Sequence, residues 1–299
     1  MSHRDIPVFE LSDYRHSSLT AEGISVMRLE DSLTHHTDRR RPHLHSFFQV
    51  FFMLGKGIFM HDFVEHSIEG GVVAFASPGQ VHAVLSSVDL RGVVAGFTQA
   101  FFDGTQAPPS RLLDFPFFYS AQSTPYLRLG RDDPHRFEAS FGEMLTEYDG
   151  IQPGAAAILR ALLDIIFQRA SRAYSEQYGQ GGAARPAQLV RSFRMALEQH
   201  FRDRTLPVQY AELLGVTVNH LNDTVRDETG QSAGHLIRER RVLDAKRLLL
   251  HSELSMSEIA YHLGFADPSY FSRFFRRDAG VSPADFRTTI REKYRESTR

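Results

Sequence analysis

Apolar and polar positions change their period along the chain, and each change marks a different kind of structure. From Ile24 to Phe102 the pattern is one of short β-rich runs broken by glycine: ISVMRLE, SFFQVFFML, GIFMHDFVEHSI, GVVAFASPG, VHAVLSS and LRGVVAGFT. Runs of this length and spacing predict the strands of a small sandwich or barrel. Several are apolar at nearly every position, as strands covered on both faces are. No helix-length period shows in this stretch. From Pro134 to Tyr178 the period is helical in two runs. The first puts Phe137, Phe141, Met144, Leu145 and Tyr148 on one stripe, and the second puts Ile158, Leu159, Leu162, Ile165, Ile166 and Arg169 close to one side. Asp149-Gly150 and Pro153-Gly154 mark the turn between them. Residues 103–134 read as irregular covering structure, with Phe115, Phe117 and Phe118 closing over the strands.

Residues 1–20 are mixed and polar, a loose arm, and GQGGAARPAQ at 179–188 has the composition of a flexible linker. Beyond it the period is helical to the end. Leu189–Asp203 is amphipathic, and Gln231–His251 is a long helix joining two similar units. In the first unit Ala211-x-x-x-Gly215-Val216 is followed by Thr217, a plausible N-cap for a helix through Asp227. In the second, Ala260-x-x-x-Gly264-Phe265 stands 49 positions later. Ser255-x-x-Glu258 has the form of a capping box, Gly264 suits a left-handed turn, and Asp267-Pro268 and Ser282-Pro283 each combine an N-cap with a proline at the first helical position. The helix from Pro268 buries Phe271, Phe274 and Phe275 and presents Ser269, Ser272, Arg273 and Arg276. Helix, glycine turn and a second helix with a basic front is a helix-turn-helix.

The run Ala260–Arg287, AYHLGFADPSYFSRFFRRDAGVSPADFR, resembles the signature of the AraC/XylS family of transcription regulators. The resemblance implies that the second helix of each unit enters the major groove of double-stranded DNA. The exposed positions are Asn219, Asn222, Asp223 and Arg226 in the first unit and Pro268, Ser269, Ser272 and Arg273 in the second. Arg273 suits a bidentate contact to guanine, and Asn219 or Asn222 one to adenine. Arg276 and Arg277 suit phosphates. Asp223 departs from the basic or amide residue commoner there.

In the strand-rich part, Pro42-His43-Leu44-His45 with Gln49 and Gly55, then Pro78-Gly79-Gln80-Val81-His82, is similar to the two motifs of the cupin barrel, where an H-x-H pair, a Glu and a distant His bind a metal. In one strand His43, His45, Phe47, Gln49 and Phe51 would share the interior face. Gln49 stands where the metal-binding pattern has a carboxylate, and a neutral amide is a poorer ligand for a hard cation. Metal binding by His43, His45 and His82, purely hydrogen-bonded histidines, and a pocket for a small organic effector all stay open, and the last is preferred. RPHLHSFFQVFFMLGKG and VTVNHLN resemble the PobR-like, 4-hydroxybenzoate-responsive subgroup of the family. This implies an aromatic carboxylic acid against Phe47 and Phe51, with His43, His45 or Arg41 meeting its polar groups and Gln49 and His82 completing the set.

Composition narrows the classes further. With 299 residues the chain is long enough for two domains, and 42% hydrophobic with 23% charged residues is ordinary for a soluble protein. No apolar run reaches a membrane span and the start lacks a signal-peptide core, so a cytoplasmic protein is expected. Cys 0 removes disulfides, thiolate metal sites and thiol nucleophiles. Residues 189–299 hold 18 Lys+Arg against 15 Asp+Glu, and residues 1–188 hold 16 against 21. The sign suits a DNA-binding C-terminal part.

The expectation is an α+β protein of two domains. Residues 1–178 would be a cupin-like β-barrel with a helical hairpin, binding the effector and forming a homodimer. Residues 179–188 would be a linker, and residues 189–299 an all-α AraC-type DNA-binding domain with two helix-turn-helix motifs. It would be a non-enzymatic regulator, an activator working with RNA polymerase, with no cofactor and no resident metal. The rivals are a cupin metalloenzyme fused to a DNA-binding domain, and a constitutive DNA-binding protein whose barrel only mediates assembly.

Overall fold

The computed structural model describes residues 8–14, 17–35, 41–104, 111–118, 125–130, 133–178 and 188–296. Most of the expected linker, up to residue 187, lies outside them, as do parts of the expected arm and of the covering segment. The described residues fall into two compact units, 8–178 and 188–296.

The first unit runs β1 (Val8–Phe9), α1 (Ser18–Glu22), β2 (Ile24–Arg28), α2 (Leu29–His35), β3 (Leu44–His45), β4 (Phe48–His61), β5 (Val64–Ala76), β6 (His82–Phe97), α3 (Gln99–Asp103), β7 (Tyr126–Arg128), α4 (Asp133–Gly150) and α5 (Ala155–Tyr178). Five strands form one antiparallel sheet in the order β2-β6-β4-β5-β7, and β1 pairs with β3 in parallel. Among the described residues the ladder does not close, so the expected barrel is present only as a sharply curled sheet. Phe51 and Phe59 measure the curl. They lie on the same strand, roughly 26 Å apart if it were straight, yet their rings are 5.5 Å apart.

The bend sits at Gly55, where φ is 127° and the β4–β6 register shifts between Leu54 and Lys56. A Cβ at Gly55 would lie 2.5 Å from the Asp89 carbonyl oxygen, so only glycine allows the strands to fold this tightly. This corrects the sequence reading. Six short runs become three long strands plus β2, because the glycines bend hydrogen-bonded strands where they were expected to end them. Helix α2 also corrects it, since seven residues are too few to show a period.

The two sides of the sheet bury different sets. Phe51, Met53, Phe59, Ile68, Val72, Ala74, Ala76, Val84 and Val94 make the core of one side. On the other, Phe52 stacks on Phe141 of α4 at 5.4 Å, and Phe97 meets Phe167 of α5 at 5.6 Å. Phe117 stacks on Phe75 at 3.7 Å and Phe118 meets Phe167 at 5.2 Å. The aromatic trio at 115–118 therefore fills the sheet–helix layer and does not close the concave side. On α5 the buried stripe is Leu159, Leu162, Leu163, Ile166, Phe167 and Ala170. Ile158 and Ile165, expected in that stripe, are 42% and 43% exposed.

The second unit is all helical: α6 (Gln188–His200), α7 (Pro207–Leu213), α8 (Val218–Thr229), α9 (Ala233–His251), α10 (Met256–His262), α11 (Pro268–Ala279) and α12 (Pro283–Glu296). Two cores form along it. Val190, Phe193, Leu197, Tyr210, Leu221, Val225 and Ile237 make one, and Val242, Leu249, Ile259, Leu263, Phe265, Phe271 and Phe275 make the other. Helix α9 contributes to both, which makes it the spacer. The capping box of α10 forms as the sequence predicts: Ser255 N–H donates to Glu258 Oε2 at 2.7 Å and Glu258 N–H donates to Ser255 Oγ at 3.2 Å. Ser255→Ala is expected to destabilise this unit by about 1 kcal/mol. A urea midpoint equal to that of the parent chain would show that the cap contributes nothing.

Candidate nucleic-acid interface and histidine cluster

In the first unit, β3 and the start of β6 are tied by the main chain, His43 N–H to His82 O at 3.1 Å and His82 N–H to His43 O at 3.0 Å. That bridge brings three imidazoles together. A nitrogen from each of His43, His45 and His82 lies within 4.8 Å of the others, and all three residues are buried. Two of the rings are set by backbone acceptors. His43 Nδ1 is 2.7 Å from Arg41 O and His82 Nδ1 is 3.1 Å from Gln80 O, which makes each Nδ1 the N–H donor. The Tyr14 hydroxyl is 3.1 Å from His45 Nδ1. His82 Nε2 and Gln49 Oε1 are buried without a hydrogen-bond partner. Burial holds His82 well below the usual imidazole range, and His43 adds to this against the opposing Gln80 hydrogen bond. His82 is therefore a neutral base at neutral pH, with its lone pair on Nε2.

The other residues expected at this site are placed as follows. Phe47 lies 4.7 Å from His45 and Phe51 lies 5.6 Å from His82, ring to ring. Gln49 is buried on β4 two residues before Phe51, and so on its face. Arg41 is exposed, and it is its carbonyl that meets His43. The strand expected to run from His43 to Phe51 is interrupted at Ser46–Phe47. Phe47 packs with Leu11 and Tyr14, apart from the core that holds Phe51.

In the second unit each helix pair turns on the same hydrogen bond, Val216 N–H to Ala211 O at 3.0 Å and Phe265 N–H to Ala260 O at 2.9 Å. Thr217 caps α8 by accepting from His220 N–H, and Asp267 caps α11 by accepting from the N–H groups of Ser269 and Tyr270. The turn glycines are 49 apart but the caps are 50 apart, because the second turn holds one more residue. The true counterparts are therefore Asn219 with Ser269, Asn222 with Ser272, Asp223 with Arg273 and Arg226 with Arg276.

Asn219, Asp223 and Arg226 form one exposed row on α8, and Ser269, Arg273 and Arg276 the matching row on α11. Asn222, Ser272 and Pro268 are half-buried. Asn222 Oδ1 accepts from Ala233 N–H at 3.2 Å, tying α8 to the start of α9, and Ser272 Oγ donates to Pro268 O at 3.1 Å. Arg277 is exposed and pairs with Asp278 at 3.1 Å. Arg273 lies 4.0 Å from Asp267 and 6.0 Å from the Tyr270 ring. Tyr270 itself is 53% exposed on the same helix, and sequence reasoning missed it because the aromatic run SYFSRFF reads as core throughout.

A family model described as "Helix-turn-helix domain" matches residues 210–289. These residues form a helix-turn-helix domain. The "HTH-type transcriptional activator RhaS" of Escherichia coli O157:H7 is 36% identical over 91 residues, 30% of this chain and 33% of that protein. The chain thus matches about a third of the length of such relatives. The solved C-terminal domain of AraT from Geobacillus stearothermophilus is 35% identical, covering 36% of this chain and 88% of that one with a TM-score of 0.34. ToxT from Vibrio cholerae O395 is 15% identical over 89% of this chain and 96% of that one, with a TM-score of 0.44.

Charges buried on α9 brace the helix-turn-helix domain from behind. Arg241 Nη2 donates to Leu263 O at 2.8 Å, and its guanidinium lies 4.0 Å from the centre of the Phe265 ring. Burial lowers the affinity of Arg241 for its proton. Asp244 accepts from Arg202 at 3.0 Å, and Arg240 pairs with Glu198 at 2.9 Å. The sequence reading took only the apolar positions of α9 as inward-facing, so these buried charges were not foreseen.

Proposed function

We propose that the chain is a sequence-specific transcription regulator of the AraC/XylS type that binds double-stranded DNA through both helix-turn-helix units. The carrying observation is the repeated exposed row, Asn219-Asp223-Arg226 and Ser269-Arg273-Arg276, on the capped second helix of each unit. The 19 residues of α9 span roughly 28 Å, close to the roughly 34 Å of one DNA turn that two recognition helices on one face need. The relative RhaS is named a transcriptional activator, and activation with RNA polymerase is the reading adopted.

Residues 8–178 would be the sensor, with a small aromatic carboxylic acid such as 4-hydroxybenzoate bound near the histidine cluster. Effector binding would then bias the placement of the DNA-binding domains. Homodimerisation would use the hairpin of α4 and α5. The combined test is site selection from random duplexes followed by calorimetry with 4-hydroxybenzoate. A preferred duplex should emerge at physiological salt, and one aromatic acid should bind per chain. If no duplex is selected over random sequence, the regulator reading fails. If the acid is silent while a duplex is selected, only the effector is wrong.

A further inference from the structure

We propose that His43, His45 and His82 bind a single borderline divalent transition-metal cation, with Zn2+ as the probe, through three neutral imidazoles and leave a fourth position open. The site does not depend on the regulator or effector reading and stands if neither holds.

Three features of the cluster carry it. The first is donor type. The set holds imidazole nitrogen and no carboxylate, which suits zinc, nickel, cobalt or copper and discriminates against magnesium and calcium. The second is orientation. His43 and His82 each direct Nδ1–H at a backbone carbonyl, Arg41 O and Gln80 O, so the lone pair of each ring is on Nε2. Metal-binding histidines are set in this way, with the second nitrogen donating to a carbonyl or carboxylate outside the coordination sphere. The third is the unsatisfied lone pair. His82 is 2% exposed and its Nε2 has no hydrogen-bond partner. A buried polar atom normally finds one, so an acceptor left bare at a cluster of two further imidazoles points to a cation.

The ligand atoms lie within 4.8 Å of one another, against roughly 3.3 Å between ligands of a tetrahedral zinc with bonds of 2.0–2.1 Å. Histidine torsions can supply that contraction without moving the His43–His82 bridge. His61, also buried nearby, is held elsewhere, its Nε2 3.1 Å from Gln80 Oε1. Gln49 decides the electrostatics. Because an amide stands where an acid would neutralise charge, a bound divalent ion keeps its full +2, and the open position favours an anion over a neutral ligand.

The test uses the full chain, purified without a polyhistidine tag and stripped with chelator. Calorimetric titration with ZnCl2 should give one ion per chain, and Co2+ should give the visible bands of a four-coordinate nitrogen-rich site. His43→Ala and His82→Ala should each weaken zinc binding by about 100-fold or more. His262→Ala, exposed in the other unit, should leave it unchanged. Absence of stoichiometric zinc in the parent chain overturns the proposal, as does affinity that survives both cluster substitutions or falls with His262→Ala. Should the cluster variants fail to fold, the zinc K-edge spectrum of the parent chain decides: three imidazoles in the first shell support the site, and fewer overturn it.

Discussion

Gly264→Ala is expected to cost the second helix-turn-helix unit about 3 kcal/mol or more, while Gly215→Ala at the equivalent turn costs roughly 1 kcal/mol. Both glycines adopt left-handed backbone, with φ of 75° and 67°. That conformation alone penalises a Cβ by roughly 1–2 kcal/mol. The difference is what the Cβ meets. At Gly215 nothing lies within 4 Å, whereas at Gly264 the new atom would sit 2.1 Å from the carbonyl oxygen of Arg202. The obstacle is backbone and cannot rotate away. Arg202 in turn is anchored to Asp244, so the strain would spread into the buried charges of α9. Urea denaturation of the two variants side by side checks this. Equal losses would show that the close approach is not what constrains Gly264.

Arg273→Ala is expected to weaken binding to a selected duplex by roughly 10- to 100-fold and to relax base preference at one position. Its side chain is 70% exposed and its nearest anionic partner, Asp267, is 4.0 Å away. An ion pair this open contributes little, so the guanidinium gives up little when it turns to a base edge. Arg277→Ala should behave differently, weakening all duplexes alike and reducing the salt slope by about 1, as loss of a phosphate contact does. Asp223 occupies the position in α8 that Arg273 holds in α11, so the first unit should bind phosphate less strongly than the second. Fluorescence anisotropy at two salt concentrations, on the selected and a scrambled duplex, separates the two behaviours. An Arg273→Ala variant that loses affinity equally for both duplexes would remove Arg273 from base reading.

Tyr270 and the pair Ile158 and Ile165 show where pattern reading fails and why. Each is a large side chain in an apolar-looking run, so period alone places it inward. Whether it is inward depends on which neighbour arrives, and that is decided by elements far away in sequence. Asn222 is the converse case: a polar residue expected at DNA is half-buried and holds the start of α9.

What the sequence by itself determined was local: the capping box at Ser255 and Glu258, the Asp267-Pro268 start of α11, the glycine turns and the apolar back of each second helix. These features are set by hydrogen bonds and steric limits within four or five residues, so they are legible without the fold, and with them the helix-turn-helix. The histidines and Gln49 were legible as residues, but not as a cluster. Only the tertiary structure decided that glycines bend three long strands into one curled sheet, that Phe115, Phe117 and Phe118 fill the layer against α5, and that α9 buries Arg241 and Asp244. It also decided that His43 and His82, 39 positions apart, share a main-chain bridge and leave an imidazole nitrogen bare. Those outcomes depend on which distant surfaces meet, and no spacing along the chain encodes that.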